Sequence, residues 1–338
     1  MSFQTQKRLV LDYYKALDAA APSEVVSAVT EYCVEETLWR GFHPFNEIRG
    51  AKEVAVRFWQ PLKQSLTGMQ RRLDIFFAGD NVYSDPGGVW VCSMGHLMGL
   101  FDMPWLGIRP TGKLTFLRYS AFHKIEDGKI TETAMYFDIP HLMMQAGQNP
   151  FPPETGANLV QPGPLMHNGL LFGDHDPAEG QKTLDVIDQM ARDLGQWDSG
   201  MPLEEELRRT WHEDMLWWGP AGIGATYTIP RYADQHSRPF RASFSERSKT
   251  KHLCRIGEGQ YGAFFGWPNF VATPRGGFMG MPATGKPGEF RVIDLYRREG
   301  DKLKENWIFI DLLHFWKGQG VDILERTTEI ETPSGATS

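Results

Sequence analysis

The 338-residue sequence predicts an α+β protein built as two similar domains, and three observations carry that reading. Lys304-Glu305-Asn306-Trp307-Ile308-Phe309-Ile310-Asp311-Leu312-Leu313-His314 echoes Thr131-Glu132-Thr133-Ala134-Met135-Tyr136-Phe137-Asp138-Ile139-Pro140-His141, and both 311 − 138 and 314 − 141 give 173. The same offset takes Thr111-Gly112-Lys113 onto Thr284-Gly285-Lys286, Arg118 onto Arg291, Glu132 onto Glu305 and Gly147 onto Gly320. A gapless register over a strand-turn-strand pattern marks an internal repeat. Upstream, an offset of 178 pairs Glu35, Trp39, Gly41, Pro61 and Gly79 with Glu213, Trp217, Gly219, Pro239 and Gly257. The first copy therefore carries five more residues (178 − 173) between Gly79 and Thr111, where a loop absorbs them. Within each copy, helical patterns come first and hairpin-linked strands follow, the order of an α+β domain. Two copies are too few for a solenoid, so each reads as a whole domain.

In the first copy, residues 1–147, Leu9, Tyr13, Tyr14 and Leu17 set a helical period from Phe3 to Leu17. Pro22 and Ser23 break the chain and start a second helix over Glu24 to Tyr32. A third runs from Glu53 to Leu66, with Pro61 expected to kink or end it. Strands follow at Leu73–Phe77, Val89–Met94, Leu114–His123 and Ile130–Phe137, the last two joined at Glu126-Asp127-Gly128. Residues 148–180, with Pro150, Pro152, Pro153, Pro162, Pro164 and Pro177, lack periodicity and read as a linker that wraps a surface. The second copy, 181–326, repeats the plan: helices at Gln181–Leu194, Leu203–Trp211 and Pro230–Ser243, then strands at His252–Ile256, Tyr261–Trp267, Phe290–Arg297 and Lys304–Ile310. The polar end, 327–338, has little to bury and is expected to be disordered.

Composition narrows the function. Apolar residues at 41% and charged residues at 23% are those of a globular protein. A net charge of −7, without a basic stripe, argues against a nucleic-acid partner. The N-terminus lacks a signal-peptide apolar stretch and no run is long enough to span a membrane, so a cytoplasmic location is expected. Cys33, Cys92 and Cys254 form neither a disulfide framework nor a zinc spacing, and no histidine pair has helical metal-ligand spacing. Neither a metal nor another cofactor is expected.

His212-Glu213-Asp214-Met215-Leu216-Trp217-Trp218-Gly219-Pro220-Ala221-Gly222-Ile223-Gly224 resembles an opening motif of SnoaL-like polyketide cyclase domains. Gly280-Met281-Pro282-Ala283-Thr284-Gly285-Lys286, then Trp307, Asp311 and Gly320, resemble later parts of that family. In the first copy Gly107-Ile108-Arg109-Pro110-Thr111-Gly112-Lys113 is present, but Phe42-His43-Pro44-Phe45 replaces the Gly-Pro-Ala-Gly turn. The resemblance implies the nuclear transport factor 2-like fold: helices on a strongly curved, mostly antiparallel sheet, forming a cone around a pocket. It implies a pocket aspartate that removes a proton beside a carbonyl, as in aldol cyclisation, and it places Asp311, and by repeat Asp138, at that position. The fold also hosts isomerases, dehydratases and pure binding proteins, so it does not choose among them.

Trp307, Phe309 and Asp311 share one strand face by period two, as do Ala134, Tyr136 and Asp138. An aspartate among aromatic side chains loses hydration and its pKa rises toward that of a useful base. The bland alternative is an ion pair. A three-residue hairpin loop sets Ile125 opposite Lys129, and so Arg118 opposite Tyr136 and Arg291 opposite Phe309, each on its aspartate's face. Those arginines either neutralise the carboxylates or hold an enolate. His314 and His141 follow their aspartates by three residues and are acid-base candidates or plain rim residues. His236, flanked by Tyr232 and Phe240 at i − 4 and i + 4, either faces a pocket or the core. Trp39, Trp90, Trp217 and Trp267 line a pocket or fill a core, and the neighbours Trp217 and Trp218 point to opposite faces. The leading expectation is a cofactor-independent cyclase, isomerase or dehydratase acting on a small, mostly apolar molecule, with its halves packed as an internal pseudo-dimer and a homodimer also open. The competing one is a non-catalytic carrier of such a molecule.

Overall fold

A computed structural model describes residues 2–196, 200–245, 247–248 and 251–328. It has the α+β class read from the sequence, with two curved mixed sheets, each carrying helices on one face. The first half opens with helices Gln4–Ala19 and Val25–Tyr32. Strands β1 (Cys33–Gly41), β2 (Glu47–Arg49), β3 (Leu66–Asp80), β4 (Val89–Phe101), β5 (Leu114–Glu126) and β6 (Lys129–Phe137) follow, in sheet order β2-β1-β6-β5-β4-β3. The second half starts with helices Pro177–Leu194 and Leu203–Arg208. Its strands are β7 (Trp211–Trp218), β8 (Ala225–Tyr227), β9 (Phe244–Ser245), β10 (Cys254–Glu258), β11 (Tyr261–Pro274), β12 (Gly288–Glu299) and β13 (Lys302–Ile310), ordered β10-β11-β12-β13-β7-β8 with β9 on β11. Both sheets are antiparallel except where β6 meets β1 and β13 meets β7.

Sequence reasoning missed β1 and β7 as strands, together with the short helices Ile139–Gln145 and Leu312–Gly318. One topological difference separates the halves: β3 runs unbroken through fifteen residues, whereas its counterpart is split into β9 and β10. The hairpin register also differs from expectation. The loop has two residues, with Glu126 opposite Lys129, and a bulge past Ile125 places Lys124 opposite Glu132. Arg118 therefore stands level with Asp138, whose N–H it receives at its carbonyl (3.0 Å), and Arg291 likewise with Asp311 (3.0 Å).

Each half contains the same irregular helix. Ala55–Trp59 and Ala233–Ser237 are π-helical turns, offset by 178, just before Pro61 and Pro239. A proline lacks the N–H for the i − 4 carbonyl and its ring crowds that oxygen, so the helix widens rather than ending. Arg238 N–H donates instead to the Ala233 carbonyl, and the Gln235 carbonyl freed by Pro239 takes the Thr155 hydroxyl at 2.6 Å. Gly41 and Gly219 have a steric role: a Cβ at either would sit 2.2 or 2.1 Å from the ring of Trp39 or Trp217.

The outer faces of the two sheets bury one another. Phe42, Ile75, Phe77, Trp90, Phe122 and Tyr136 of the first half form one apolar layer with Ile256, Phe265, Ile293, Leu295, Trp307 and Phe309 of the second. The segment 148–176 runs along both: Leu171 N–H bonds the Phe76 carbonyl at 2.8 Å, and Trp307 donates to the Pro162 carbonyl at 3.1 Å. Among the described residues no helix is long and apolar enough to cross a membrane. The polar end singled out above lies, from residue 329 onward, outside the described residues.

Candidate functional site

With one face of each sheet against the other sheet and the opposite face under helices, the central strands β5, β12 and β13 are buried on both faces. In the second half the helix-covered face encloses a cavity of about 130 Å³. A cavity of roughly 150 Å³ accepts benzene, so this space suits about one aromatic ring. Period two selects which residues line it. Trp217 from β7, Phe264 and Phe270 from β11, Phe290, Val292, Asp294 and Tyr296 from β12, and Asn306, Ile308 and Ile310 from β13 face inward. The π turn supplies His236, and the segment leading into β10 supplies His252.

Asp294 is the singular group of this wall. On β12 it lies between Phe264 of β11 and Ile308 of β13. Asn306 donates to its Oδ1 at 2.6 Å, and Tyr296 adds a second hydrogen bond. Burial outweighs these bonds and pushes its carboxyl from 3.8 up to about 7. His236 stacks on Trp217, ring centroids 4.0 Å apart at 21°, and its Nδ1 is buried without a partner. Burial lowers its pKa to about 3, so the ring is neutral at neutral pH. His252 stacks on Phe264 at 3.9 Å, with Nε2 buried and unpartnered. A bulge between Gly266 and Phe270 turns Asn269 inward, and its Oδ1 takes the Val292 N–H at 3.0 Å. The cavity thus holds a carboxyl that ionises near neutrality, two uncharged imidazoles, amides and the guanidiniums of Arg241 and Arg247 within an aromatic shell. Among the described residues no group of three or more His, Cys, Asp or Glu gathers to hold a metal.

Of the residues singled out in the sequence, His236 and Trp217 are the two that line this cavity. Asp311 does not. It ends β13 on the opposite face and caps helix Leu312–Gly318, accepting from His314 N–H at 3.1 Å. Its other oxygen reaches across to the first half and accepts from His43 N–H at 2.9 Å. Asp138 mirrors it, accepting from His141 N–H at 3.2 Å and from Ala221 N–H of the second half at 3.0 Å. Both carboxylates therefore close helix ends and tie the halves together, with Asp311 pushed up to about 6 chiefly by burial. The expectation that Asp311 looks into the pocket is corrected: the shared face with Trp307 and Phe309 is the inter-sheet face.

The arginines lie beside these aspartates but bond elsewhere. Arg118 Nη1 is 3.9 Å from Asp138 and donates to the Ile308 carbonyl at 3.1 Å, with its guanidinium 4.0 Å over Phe309. Arg291 Nη1 is 3.8 Å from Asp311, donates to Asn46 at 2.6 Å and lies 3.8 Å over Trp267. Tyr136 donates to the Gly266 carbonyl at 3.2 Å, and Trp90 to the Gly87 carbonyl at 2.9 Å, both in the inter-sheet layer. His141 is buried beside Gln145, and His314 stands at the surface, 3.2 Å from Glu289. Trp39 packs against Phe45 and Phe58 inside the first half.

Asp294, His252 and Asn306 were missed as site residues. The signal for Asp294 was present: a carboxylate between Ile293 and Leu295, on the strand face of Phe290, Val292 and Tyr296.

Comparison with known proteins bears on the same region. Residues 232–317 match the family model described as SnoaL-like polyketide cyclase. No curated protein matches the chain. Among solved structures, a putative SnoaL-like polyketide cyclase from Jannaschia sp. CCS1 is 18% identical, covering 42% of this chain and 90% of its own, with a TM-score of 0.34. AclR, a putative hydroxylase from Streptomyces galilaeus, is 16% identical over 45% of this chain and 87% of its own (TM-score 0.37). IdmH, a putative polyketide cyclase from Streptomyces antibioticus, is 20% identical over 41% and 99% (TM-score 0.32). The family match lies wholly in the second half and runs from Tyr232 through Asp294 to Lys317, the stretch that supplies most of the cavity wall.

Proposed function

We propose that the second half is a cofactor-independent acid-base enzyme that moves a proton beside a carbonyl in a small aromatic or apolar molecule. The carrying observation is Asp294: a buried carboxyl that ionises near pH 7 on the wall of an aromatic-lined cavity. A group with that pKa accepts and returns protons with little penalty in either direction. In the forward step the Asp294 carboxylate takes a proton from the carbon next to the carbonyl. The C–H electron pair moves toward the carbonyl, whose oxygen becomes an enolate oxygen. The enolate then reprotonates at the same or a conjugated carbon, or attacks a second carbonyl in the same molecule. Asn306 orients the base through its 2.6 Å hydrogen bond, and the wall residues Trp217 and Phe290 offer apolar surface to the substrate's body. The neutral ring of His236 offers a further hydrogen bond without adding charge.

The tandem reading belongs to the same proposal. Residues 1–147 and 181–326 are two such domains joined by 148–180 and packed as a pseudo-dimer. The first serves as scaffold, in a chain expected to work in the cytoplasm.

The test is exchange of the α-protons of phenylacetone in D2O, followed by 1H NMR with the full chain. Exchange should rise with pH and level off above about pH 7, as Asp294 ionises. Asp294→Asn should lower it at least ~100-fold with the fold retained. Exchange that survives in Asp294→Asn would move the chemistry off Asp294, and a wild-type chain that binds phenylacetone without exchanging its protons would be a carrier protein.

A further inference from the structure

Resting on the proposed proton transfer, we infer that His252 is the second catalytic residue, a fixed Nε2–H donor to the substrate's carbonyl oxygen, and that Arg255 positions it. The geometry sets the tautomer. Arg255 Nη2 lies 2.8 Å from His252 Nδ1. A guanidinium only donates, so Nδ1 must be the accepting nitrogen and the ring's proton must sit on Nε2. The Tyr83 hydroxyl stands on the same side, 3.5 Å from Nδ1. Nε2 is buried, lacks a hydrogen-bond partner and belongs to a ring that lines the cavity. A buried N–H left without an acceptor costs stability, so its persistence points to a bound molecule that supplies one.

The ring cannot readily turn away. It is stacked on Phe264, centroids 3.9 Å apart and only 12° from parallel. Phe264 in turn is the cross-strand neighbour of Asp294, which brings donor and base onto one patch of wall. Burial also lowers the His252 pKa to about 3, which keeps the imidazole neutral while the enolate forms.

The donor is held from outside the cavity. Arg255 pairs with Asp188 of helix Pro177–Leu194, and its backbone is clamped by the first half. Asn81 Oδ1 accepts from Arg255 N–H at 3.0 Å, Val82 N–H donates to the Arg255 carbonyl at 3.0 Å, and Asn81 Nδ2 donates to the Leu253 carbonyl at 3.0 Å. The β3–β4 loop of the first half thus reaches the residues that orient His252. During the reaction the atoms balance simply. Asp294 gains the α-proton, the oxygen gains the negative charge against His252 N–H, and both revert when the proton returns to carbon. His252 keeps its proton throughout.

The experiment is 15N NMR of the full chain with labelled histidines, with phenylacetone as the probe and its α-proton exchange as the parallel readout. The expected result is an Nε2–H tautomer for His252, an Nε2–H resonance that moves on adding phenylacetone, and exchange lowered ~10- to 100-fold in His252→Phe. Arg255→Gln should mix the tautomers and lower exchange several-fold, and Arg255→Lys should restore both in part. An Nδ1–H tautomer, or an Nε2–H that ignores phenylacetone while Asp294-dependent exchange proceeds, would overturn the role of His252 and leave the proposed function standing. A responding Nε2–H without exchange in the wild-type chain would retain His252 as a carbonyl-binding donor and remove the proton transfer. Silence in both readouts would remove both.

Discussion

The interiors of the two halves differ at a few equivalent positions, and several of those positions line the cavity of the second half. Tyr119 and Phe137 in the first half correspond, at the offset of 173, to Val292 and Ile310, which line the cavity of the second. Phe58, on the first π turn, corresponds to His236 on the other, and Ala121 corresponds to Asp294. The first half fills its cone with Trp39, Phe45, Phe58 and Trp105 in mutual ring contact. Arg71, bonded to both oxygens of Asp18, lies 4.0 Å over Tyr14 within the same half. One backbone plan therefore supports a packed interior and a hollow one. Smaller side chains open the space, and a few polar ones line it.

The largest expected effect comes from Asp294. Its folded carboxyl titrates near 7 against an ordinary 3.8, so ionisation costs the folded state. The stability this group contributes is complete below about pH 4 and is lost as pH rises through about 7. Asp294→Asn should flatten that part of the stability profile. It should also raise stability at pH 8 by a few kcal/mol at most, at about 1.4 kcal/mol per pKa unit. Urea melts from pH 4 to 8 check this, and an unchanged slope would show that Asp294 is not a strained carboxyl.

Next in size is the conversion of the second interior into the first. Val292→Tyr with Ile310→Phe should fill the cavity and stop phenylacetone exchange, at a cost within about 3 kcal/mol of overpacking. A double variant that still exchanges phenylacetone would place the site elsewhere. The reverse pair in the first half, Tyr119→Val with Phe137→Ile, should cost about 2–5 kcal/mol through an unfilled cavity. Thermal melts and binding of a small aromatic such as benzene would read it.

The aspartates at the strand ends give a stability effect without an activity effect. Asp311→Ala strands the N–H groups of His43 and His314, whereas Asp138→Ala strands that of Ala221 alone, because His141 N–H keeps the Asp138 carbonyl at 3.2 Å. The first should cost about 2–4 kcal/mol and the second about 1–3 kcal/mol, at ~1–3 kcal/mol per buried unpaired group. Exchange per folded molecule should stay within about twofold. The smallest effect is expected at His314, whose half-exposed pairing with Glu289 is worth under ~1 kcal/mol.

Much of this organisation is legible in the sequence because it is local. The Asp-x-x-His repeat marks two equivalent strand ends, and Pro61 marks the irregular helix of the first half, although the helix caps and both π turns are seen only in the structure. The α+β order follows from helical periods preceding strand patterns. The orientation of the strand faces is not local. Period two groups Trp307 with Phe309 and Asp311, yet both faces of β13 are buried, one under helices and one on the other sheet. When both faces are apolar, alternation cannot tell cavity from interface. The aromatic face of β13 is the interface, and the cavity face carries Asn306, Ile308 and Ile310. His252 depends on contacts across the halves, through Asn81 and Tyr83, which no spacing in the sequence reveals.

The most direct test of the central claim sets two isosteric variants side by side, Asp294→Asn and Asp311→Asn, and measures phenylacetone α-proton exchange in D2O at pH 8. The account predicts that Asp294→Asn loses exchange at least ~100-fold, while Asp311→Asn keeps it within about twofold per folded molecule. Loss of exchange in Asp311→Asn with retention in Asp294→Asn would contradict it, returning the chemistry to the strand-end aspartate.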